Sequence, residues 1–542
     1  MSESSSSKAK VVAKASVILT AAMFMSRLLG LLRDTVMASQ FGIGIDTDAY
    51  RIAVTIPDTI FFLVAGGGLS TAFMPIFTEF FHTDKKEDAW RVFSAVTTLT
   101  AVFVTMLIGL AWAFAVPIAE FMSAGKTIKL AGGGVRPIGP DEIRTIVHMS
   151  RIMLPAQFAF MVGSVLIATL YARNRVVAPA VAPNVYNFGI ILGAILGPTL
   201  GIGIAGMSWG ALIGAMLGNL LIPLLVMMKL GSHFTPNFNF QTPGLKRFFK
   251  LLGPVVFGFS LPSVAAMITQ KFASYFEVGT NTVMTLSNNL MQAPLGIFGQ
   301  SLAMAAFPVL AEFFATKNMP AYRRQVTSTL CTVLFLSFPS AAVLFGCAPE
   351  IVKLVYGYGK ASSAADLART VEVLQIFCLG IPAWCVQPVL MRGFFSAQQT
   401  LRPVIISTCL TAAFIGMCWL GVSMKMSYQV LPWATNIAAT LLAIFLYFAL
   451  QREVGALDSM RIAVTKTKSL VLSLVAGGVA WVLMRPASHM HKLALMGYFL
   501  FAMCVVGWTY FYLAQKWWMK EAAYFEKVMN RLPGRKKEEE SE

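Results

Sequence analysis

The sequence predicts an all-α polytopic membrane protein of about fourteen transmembrane helices, on three observations. Hydrophobic residues make up 57% of the 542 and charged residues only 13%, where a soluble globular chain carries roughly 25% charge. Apolar runs of about 20 residues, each long enough to cross a hydrocarbon core as a helix, recur from one end to the other, and the short alternating segments of a β-barrel are absent. Lys and Arg gather in short loops of one parity, the cytoplasmic bias of a multi-pass protein.

The N-terminal tip, 1–14 (MSESSSSKAKVVAK), is polar and lysine-containing. The apolar run behind it imitates a signal peptide. The charged SRLLGLLRD continues that run without a small-residue cleavage site, so it reads as the first span. The predicted spans cover 15–39, 49–80, 92–119, 147–172, 178–199, 203–228, 248–275, 281–314, 324–346, 368–396, 402–423, 430–450, 467–484 and 493–514. With the N-terminus inside, the basic loops HTDKKEDAWR, ARNR, KRFFK, TKNMPAYRR and QQTLR all face the cytoplasm. An even number of spans returns the basic and acidic tail, 516–542, to the same side. Two outer loops are long, the Gly-rich 123–143 and 346–370; neither reads as a folded domain, and the chain offers no soluble catalytic module.

An internal repeat organises the spans. STAFMPIFTEFF (70–81) matches AMAAFPVLAEFF (303–314), aligning Pro75 with Pro308 and Glu79 with Glu312; LYARNRVVAPAV (170–181) matches FFSAQQTLRPVI (394–405) at a similar offset. The repeat predicts two six-helix lobes of equal orientation, 15–235 and 236–455, related by a pseudo-two-fold axis along the membrane normal, an arrangement common in transporters. Helices thirteen and fourteen, 456–515, have no partner and read as an addition.

Several function classes are excluded. The net charge of +18 sits in inter-span loops rather than in a basic stripe interleaved with aromatics, so nucleic acid is not the partner. Seven cysteines without CxxC spacing, mostly within spans, read as small packing residues, neither a disulfide framework nor a metal site. The five histidines are scattered, so neither a metal-hydrolase nor a triad pattern is present and no catalytic residue or cofactor is expected.

The informative residues are charges inside spans, each costing about 2.5–3.5 kcal/mol on insertion scales. FMSRLLGLLRDTVMASQFG (24–42) places Arg27, Arg33 and Asp34 in the first span. Arg27 and Asp34 lie about 20° from one stripe and Arg33 about 120° from Arg27, at ~100° per residue. Asp48, Arg51 and Asp58 follow in the second span, Lys271 in the seventh, and Asn288, Asn289 and Gln292 in the eighth. Gly30, Pro57, Gly66, Gly67, Gly68 and Pro294 are the expected hinges or helix breaks. Two readings stand open for several charges. Arg51, Arg151 and Arg392 either snorkel to headgroups or face the interior, and Arg33 with Asp34 either forms a structural pair or lines a cavity. Glu79 and Glu312 read as helix-end charges. Arg27 and Lys271 read as lining a water-filled cavity. Such a cavity leans basic and favours an anion, a phosphate or pyrophosphate held by forked guanidinium hydrogen bonds and a Lys point charge. Asp34 and Asp48 either orient the arginines or carry a coupling cation.

SRLLGLLRDTVMASQFG, then TDAY, IPD, AFMPIFTEF, YGYGK and FFSAQQTLRPV, together resemble the MurJ/MviN family of lipid II flippases, within the multidrug/oligosaccharidyl-lipid/polysaccharide exporter superfamily. The resemblance runs in order along nearly the whole chain. It implies alternating-access transport of lipid II, an undecaprenyl-pyrophosphate-linked peptidoglycan precursor, across the bacterial inner membrane, with both termini cytoplasmic. It also implies a lipid-tail groove at the last two helices, and membrane lipids and cell-wall synthesis enzymes as further partners. A coupling cation or the membrane potential is the implied energy source. The family's cavity-lining motif maps onto Arg27, Arg33 and Asp34, and its aspartate after the first outer turn onto Asp48. The chain departs from the family where many members carry an arginine pair followed by AEGAF. Here stand Phe61, Phe62 and AGGGL, and an eighth-span arginine falls on Asn289. Arg51 and Lys271 are the candidates to replace the missing charge. Export of another polyprenyl-linked saccharide, or cation-coupled drug export, are the alternative readings.

Overall fold

The computed structural model describes residues 2–64, 68–83, 85–125, 127–129, 135–173, 175–399, 401–486 and 492–522. Apart from loops and one short hairpin it is helical, and each expected span coincides with helix over its described residues. Among the described residues, eleven helical stretches are long and apolar enough to cross a membrane. The chain divides into two compact units, Met1–Thr282 with Tyr358–Ser362, and Val283–Gly357 with Ser363–Glu542.

The first unit contains α1 (Ser2–Phe41), α2 (Ile45–Val64), α3 (Gly68–His82), α4 (Lys86–Ala113), α5 (Ala115–Ser123), α6 (Pro140–Met153), α7 (Ala156–Ala172), α8 (Val177–Thr199), α9 (Ala205–Ala215), α10 (Ile222–Lys229) and α11 (Leu245–Ala273). The expected polar tip is thus already helical from Ser2, continuous with the first span. The loop expected over 123–143 holds an antiparallel hairpin, Thr127–Lys129 against Val135–Pro137. Two of the apolar cores among the described residues organise this unit. One gathers Phe73, Phe77, Trp90 and Phe93 of α3 and α4; the other sets Ile52, Ala53 and Ile56 of α2 against Ile146, Met149 and Met153 of α6.

Helix breaks are set by local chemistry. Gly42, at φ +79°, ends α1 by donating its N–H to the Ala38 carbonyl, a left-handed cap that glycine adopts without a Cβ penalty. α1 runs unbroken through Gly30, where an added Cβ would meet open space, and α2 continues through Pro57. Neither residue breaks its helix, a correction to the expectation. α2 is described as far as Val64 and α3 from Gly68; the expected break at the glycine run falls on Gly66 and Gly67, which lie outside the described residues, and on Gly68, the first residue of α3. A π-helical turn, Met216–Leu221, joins α9 to α10.

α8 and α9 form an antiparallel hairpin that owes its closeness to glycine. A Cβ at Gly193 would fall on the Gly206 carbonyl oxygen, and one at Gly189 would lie 2.5 Å from that of Gly210. Lipid tails are as apolar as side chains, so association rests on close backbone contact between small residues. The spacing Gly189, Gly193, Gly197 facing Gly206, Gly210, Gly214 supplies it.

The second unit contains most of α12 (Thr280–Pro294), then α13 (Ser301–Ala315), α14 (Met319–Gly346), α15 (Ala348–Tyr356), α16 (Ala364–Ser396), α17 (Leu401–Ser423), α18 (Val430–Val454), α19 (Ser459–Met484) and α20 (Lys492–Lys516). Pro294 closes α12, and a π turn, Leu295–Gln300, follows it; the ring nitrogen has no N–H to continue the ladder. α19 and α20, read from sequence as an addition, are packed into this unit. Gly477 of α19 lies against Ala342 of α14, and Tyr510 of α20 donates its hydroxyl to the Phe335 carbonyl at 2.7 Å. All seven cysteines are free and five are buried.

Replacing Gly193 with leucine forces α8 from α9 and is expected to cost about 1–3 kcal/mol. Thermal unfolding in detergent should show a lowered midpoint for Gly193→Leu and an unchanged one for Gly416→Leu, whose added Cβ meets nothing within 4 Å.

Candidate functional site

The charged residues of α1 and α2 converge on one carboxylate. Asp34 is 1% exposed, and Arg51 donates Nη2 to its Oδ1 at 2.9 Å. Arg33 donates Nε to Oδ1 at 3.2 Å and Nη2 to Oδ2 at 3.4 Å, in a forked arrangement. Two guanidiniums thus share one anion. The third guanidinium nitrogen of Arg33 donates to Asn187 Oδ1 of α8 at 3.2 Å. Asn187 in turn donates to the Pro183 carbonyl at 3.1 Å and to the Ser26 hydroxyl at 3.4 Å. It therefore ties α8 to two points on one face of α1, seven residues apart.

The cluster is only partly satisfied. The Arg33 side chain is 23% exposed and that of Arg51 11%, and the buried Nε of Arg51 has no hydrogen-bond partner. A polar stripe extends it along α2, because Arg51, Thr55 and Asp58 are spaced by four and three residues and fall on one face. The Thr55 hydroxyl meets the Gln270 side chain of α11, and Thr59 points to the Met267 sulfur at 3.7 Å. Tyr50 and Tyr186 border the same region, both in electrostatic range of Arg33. The arrangement is a charged, hydrogen-bond-rich interior face in which the Arg51 Nε keeps an unspent donor.

Of the expected site residues, Arg33, Asp34 and Arg51 meet. Arg27 is exposed on α1, six residues and about 9 Å of helix rise before Arg33. Asn289 is half-buried on α12 in the second unit.

Asp48 is a correction. It is 1% exposed and saturated, accepting from the backbone N–H of Gly279 at 2.7 Å, the N–H of Thr282 at 2.9 Å and the Thr282 hydroxyl at 2.7 Å. A turn opening a helix leaves backbone donors unmet, and Asp48 reaches from α2 to take them. It braces the Gly279–Thr282 turn.

Lys271 is the second correction. It lies in the last turn of α11, not several turns inside. Its ammonium donates to the carbonyls of Phe121 and, at 3.0 Å, Ala124, and stands 4.8 Å from the Phe121 ring. The end of α5 exposes carbonyls that attract a cation, and Lys271 answers them.

Sequence reasoning missed Asn187, Thr55 and Gln270 as members of the site. The available signal was an amide in each of two apolar segments, NVYNFG and MITQKF, where a polar side chain needs a partner.

Replacing Asp48 with alanine leaves buried N–H groups unsatisfied, at about 1–3 kcal/mol each. The expected result is a clearly lowered unfolding midpoint in detergent, with a smaller loss for Thr282→Val, which removes one bond and keeps the two backbone donors paired.

Three comparisons bear on what this site serves. A sequence model of the family described as lipid II flippase MurJ matches residues 37–503. The probable lipid II flippase MurJ of Buchnera aphidicola subsp. Acyrthosiphon pisum is 25% identical over 380 residues, covering 70% of this chain and 72% of that protein. Among solved structures, a lipid II flippase MurJ in an inward closed conformation superposes with a TM-score of 0.75 at 21% identity, covering 92% of this chain and 99% of that one. An inward-facing multidrug resistance transporter of the MATE family, in the MOP superfamily, superposes at 0.66 and 14% identity, covering 84% and 99%.

Proposed function

Because the chain belongs to the lipid II flippase MurJ family, a family of multi-pass bacterial inner-membrane transporters, we propose that the Arg33–Asp34–Arg51 cluster is where it holds the pyrophosphate of lipid II. The protein moves lipid II from the cytoplasmic to the outer leaflet by alternating access. The observation that carries the residue assignment is the pair of guanidiniums sharing one buried carboxylate while the Arg51 Nε is left without a partner.

Guanidinium forks match phosphate oxygens in geometry, and charge-assisted hydrogen bonds are about twice as strong as neutral ones. Asp34 holds both arginines in place before the substrate arrives and reclaims them after it leaves, which resets the site. An arriving diphosphate takes up the orphan Nε and competes with Asp34 for the remaining donors. Arg51 supplies the positive charge that the Phe61–Phe62 and Asn289 departures remove; Lys271, committed to α5, does not. Arg27, lying nearer the N-terminal end of α1, receives the headgroup before it reaches Arg33.

The remaining elements of this reading follow the sequence repeat. Two six-helix lobes rock to expose the site to either side, and a ligand drives that change only through unequal affinity for the two states. The undecaprenyl tail stays in lipid against α19 and α20. Both termini face the cytoplasm, the membrane potential or a coupling cation supplies the drive, no catalysis takes place, and cell-wall synthesis enzymes are neighbours in the membrane.

In a strain depleted of its own flippase, Arg33→Ala and Arg51→Ala should each fail to restore growth and should leave unflipped precursor accumulating, while immunoblots show the variant inserted at normal level. Full rescue by both variants defeats the assignment of the site.

A further inference from the structure

α2 carries a second interior carboxylate that the ion cluster does not engage. Asp58 follows Arg51 by seven residues, about 20° from its stripe and two turns along. It is half-buried, and among the described residues its carboxylate accepts no hydrogen bond and forms no ion pair. The groups facing it are countable. Among the described residues Arg33 of α1 is the cation in electrostatic range of it, and Asp34 is already held by two guanidiniums. Tyr50 of α2 and Tyr186 of α8 lie within its field. α11 brings the uncharged Met267 and Gln270, while Lys271 is occupied at the end of α5. α5 and α6 set apolar residues and Ser150 against α2, α7 has no charged residue, and the charges of α4 lie in its first turns.

We infer that Asp58 is a proton-binding site of the transport cycle, taking up one proton as the anionic headgroup binds and yielding it as the headgroup leaves. This rests on the pyrophosphate reading above. Arg33 and Arg51 against Asp34 and Asp58 sum to zero charge, so an ionised Asp58 offsets the attraction an incoming diphosphate would feel. Once a phosphate occupies Arg33, Asp58 loses the cation that favours its charged form and gains an anionic neighbour; both changes favour the neutral acid. The carboxylate oxygen forms an O–H bond with a proton from water, and the reverse step returns it. A metal cation is a poorer occupant, because one carboxylate supplies at most two of the several oxygen ligands such an ion requires, and no cluster of three or more metal-ligating side chains occurs among the described residues.

The test is calorimetric titration of the purified full-length protein with lipid II, in two buffers of different ionisation enthalpy and with choline replacing sodium and potassium. The wild type should take up about one proton per lipid II bound, and its affinity should weaken by up to about tenfold per pH unit above the range where uptake begins. Asp58→Asn, which mimics the neutral acid, should bind without proton uptake and with a flat pH profile. Asp58→Glu keeps an ionisable group and should retain uptake at a shifted midpoint. That variant also decides the matter if the asparagine protein does not fold. Proton uptake by Asp58→Asn equal to that of the wild type, a wild type that takes up none, or uptake that disappears in choline overturns the inference while leaving the pyrophosphate site intact. Failure of the wild type to bind lipid II removes the substrate reading and this inference with it.

Discussion

The Asp34 carboxylate, shared by Arg33 and Arg51, is the constraint on which the interior of the first unit depends. Two guanidiniums brought this close without an intervening anion would repel, and in a poorly solvated interior that repulsion is screened little. The carboxylate makes their proximity tolerable and fixes their planes. It does not exhaust them, since two arginines carry many more donors than one carboxylate has lone pairs. The result is stable enough to fold and still short of acceptors, the property an anion-handling site needs.

The neighbours decide where that pair sits. Asn187 spans from Arg33 to Ser26 and so fixes the rotation of α1 against α8. α8 is held in turn by the glycine contacts with α9, which allow no sideways adjustment, because the touching atoms are backbone. The position of the guanidiniums therefore depends in part on this contact, since Gly189 lies two residues along α8 from the Asn187 that Arg33 meets.

Charges of the same type have different fates in this chain. Arg33 and Arg51 keep spare donors at an interior face, whereas Asp48 and Lys271 are consumed by helix ends, one taking backbone N–H groups at the Gly279–Thr282 turn and the other answering carbonyls after α5. A helix terminus offers several unmet groups of one sign within a few ångströms, and it captures any charged side chain of opposite sign within reach. Such a residue looks in sequence just like a ligand: a lone charge in an apolar run. Asp58 is the contrasting case, a carboxylate that, among the described residues, accepts no hydrogen bond and forms no ion pair.

The all-helical membrane class and the Ser-Arg-x-x-Gly-x-x-Arg-Asp motif that carries the family resemblance are legible in the chain's residues alone. Hydrophobic run length and the insertion cost of charge are local properties that each segment carries alone. The tertiary structure alone decided which charges meet: that Arg51 joins Arg33 and Asp34, that Asn187 completes them, that Asp48 and Lys271 are braces, and that Gly30 is an open face in an unbroken helix. Those outcomes depend on the rotation and depth of each helix against its neighbours. Contacts between helices, the backbone contacts of the α8 and α9 glycines among them, set that geometry, and no periodicity within a single segment encodes it.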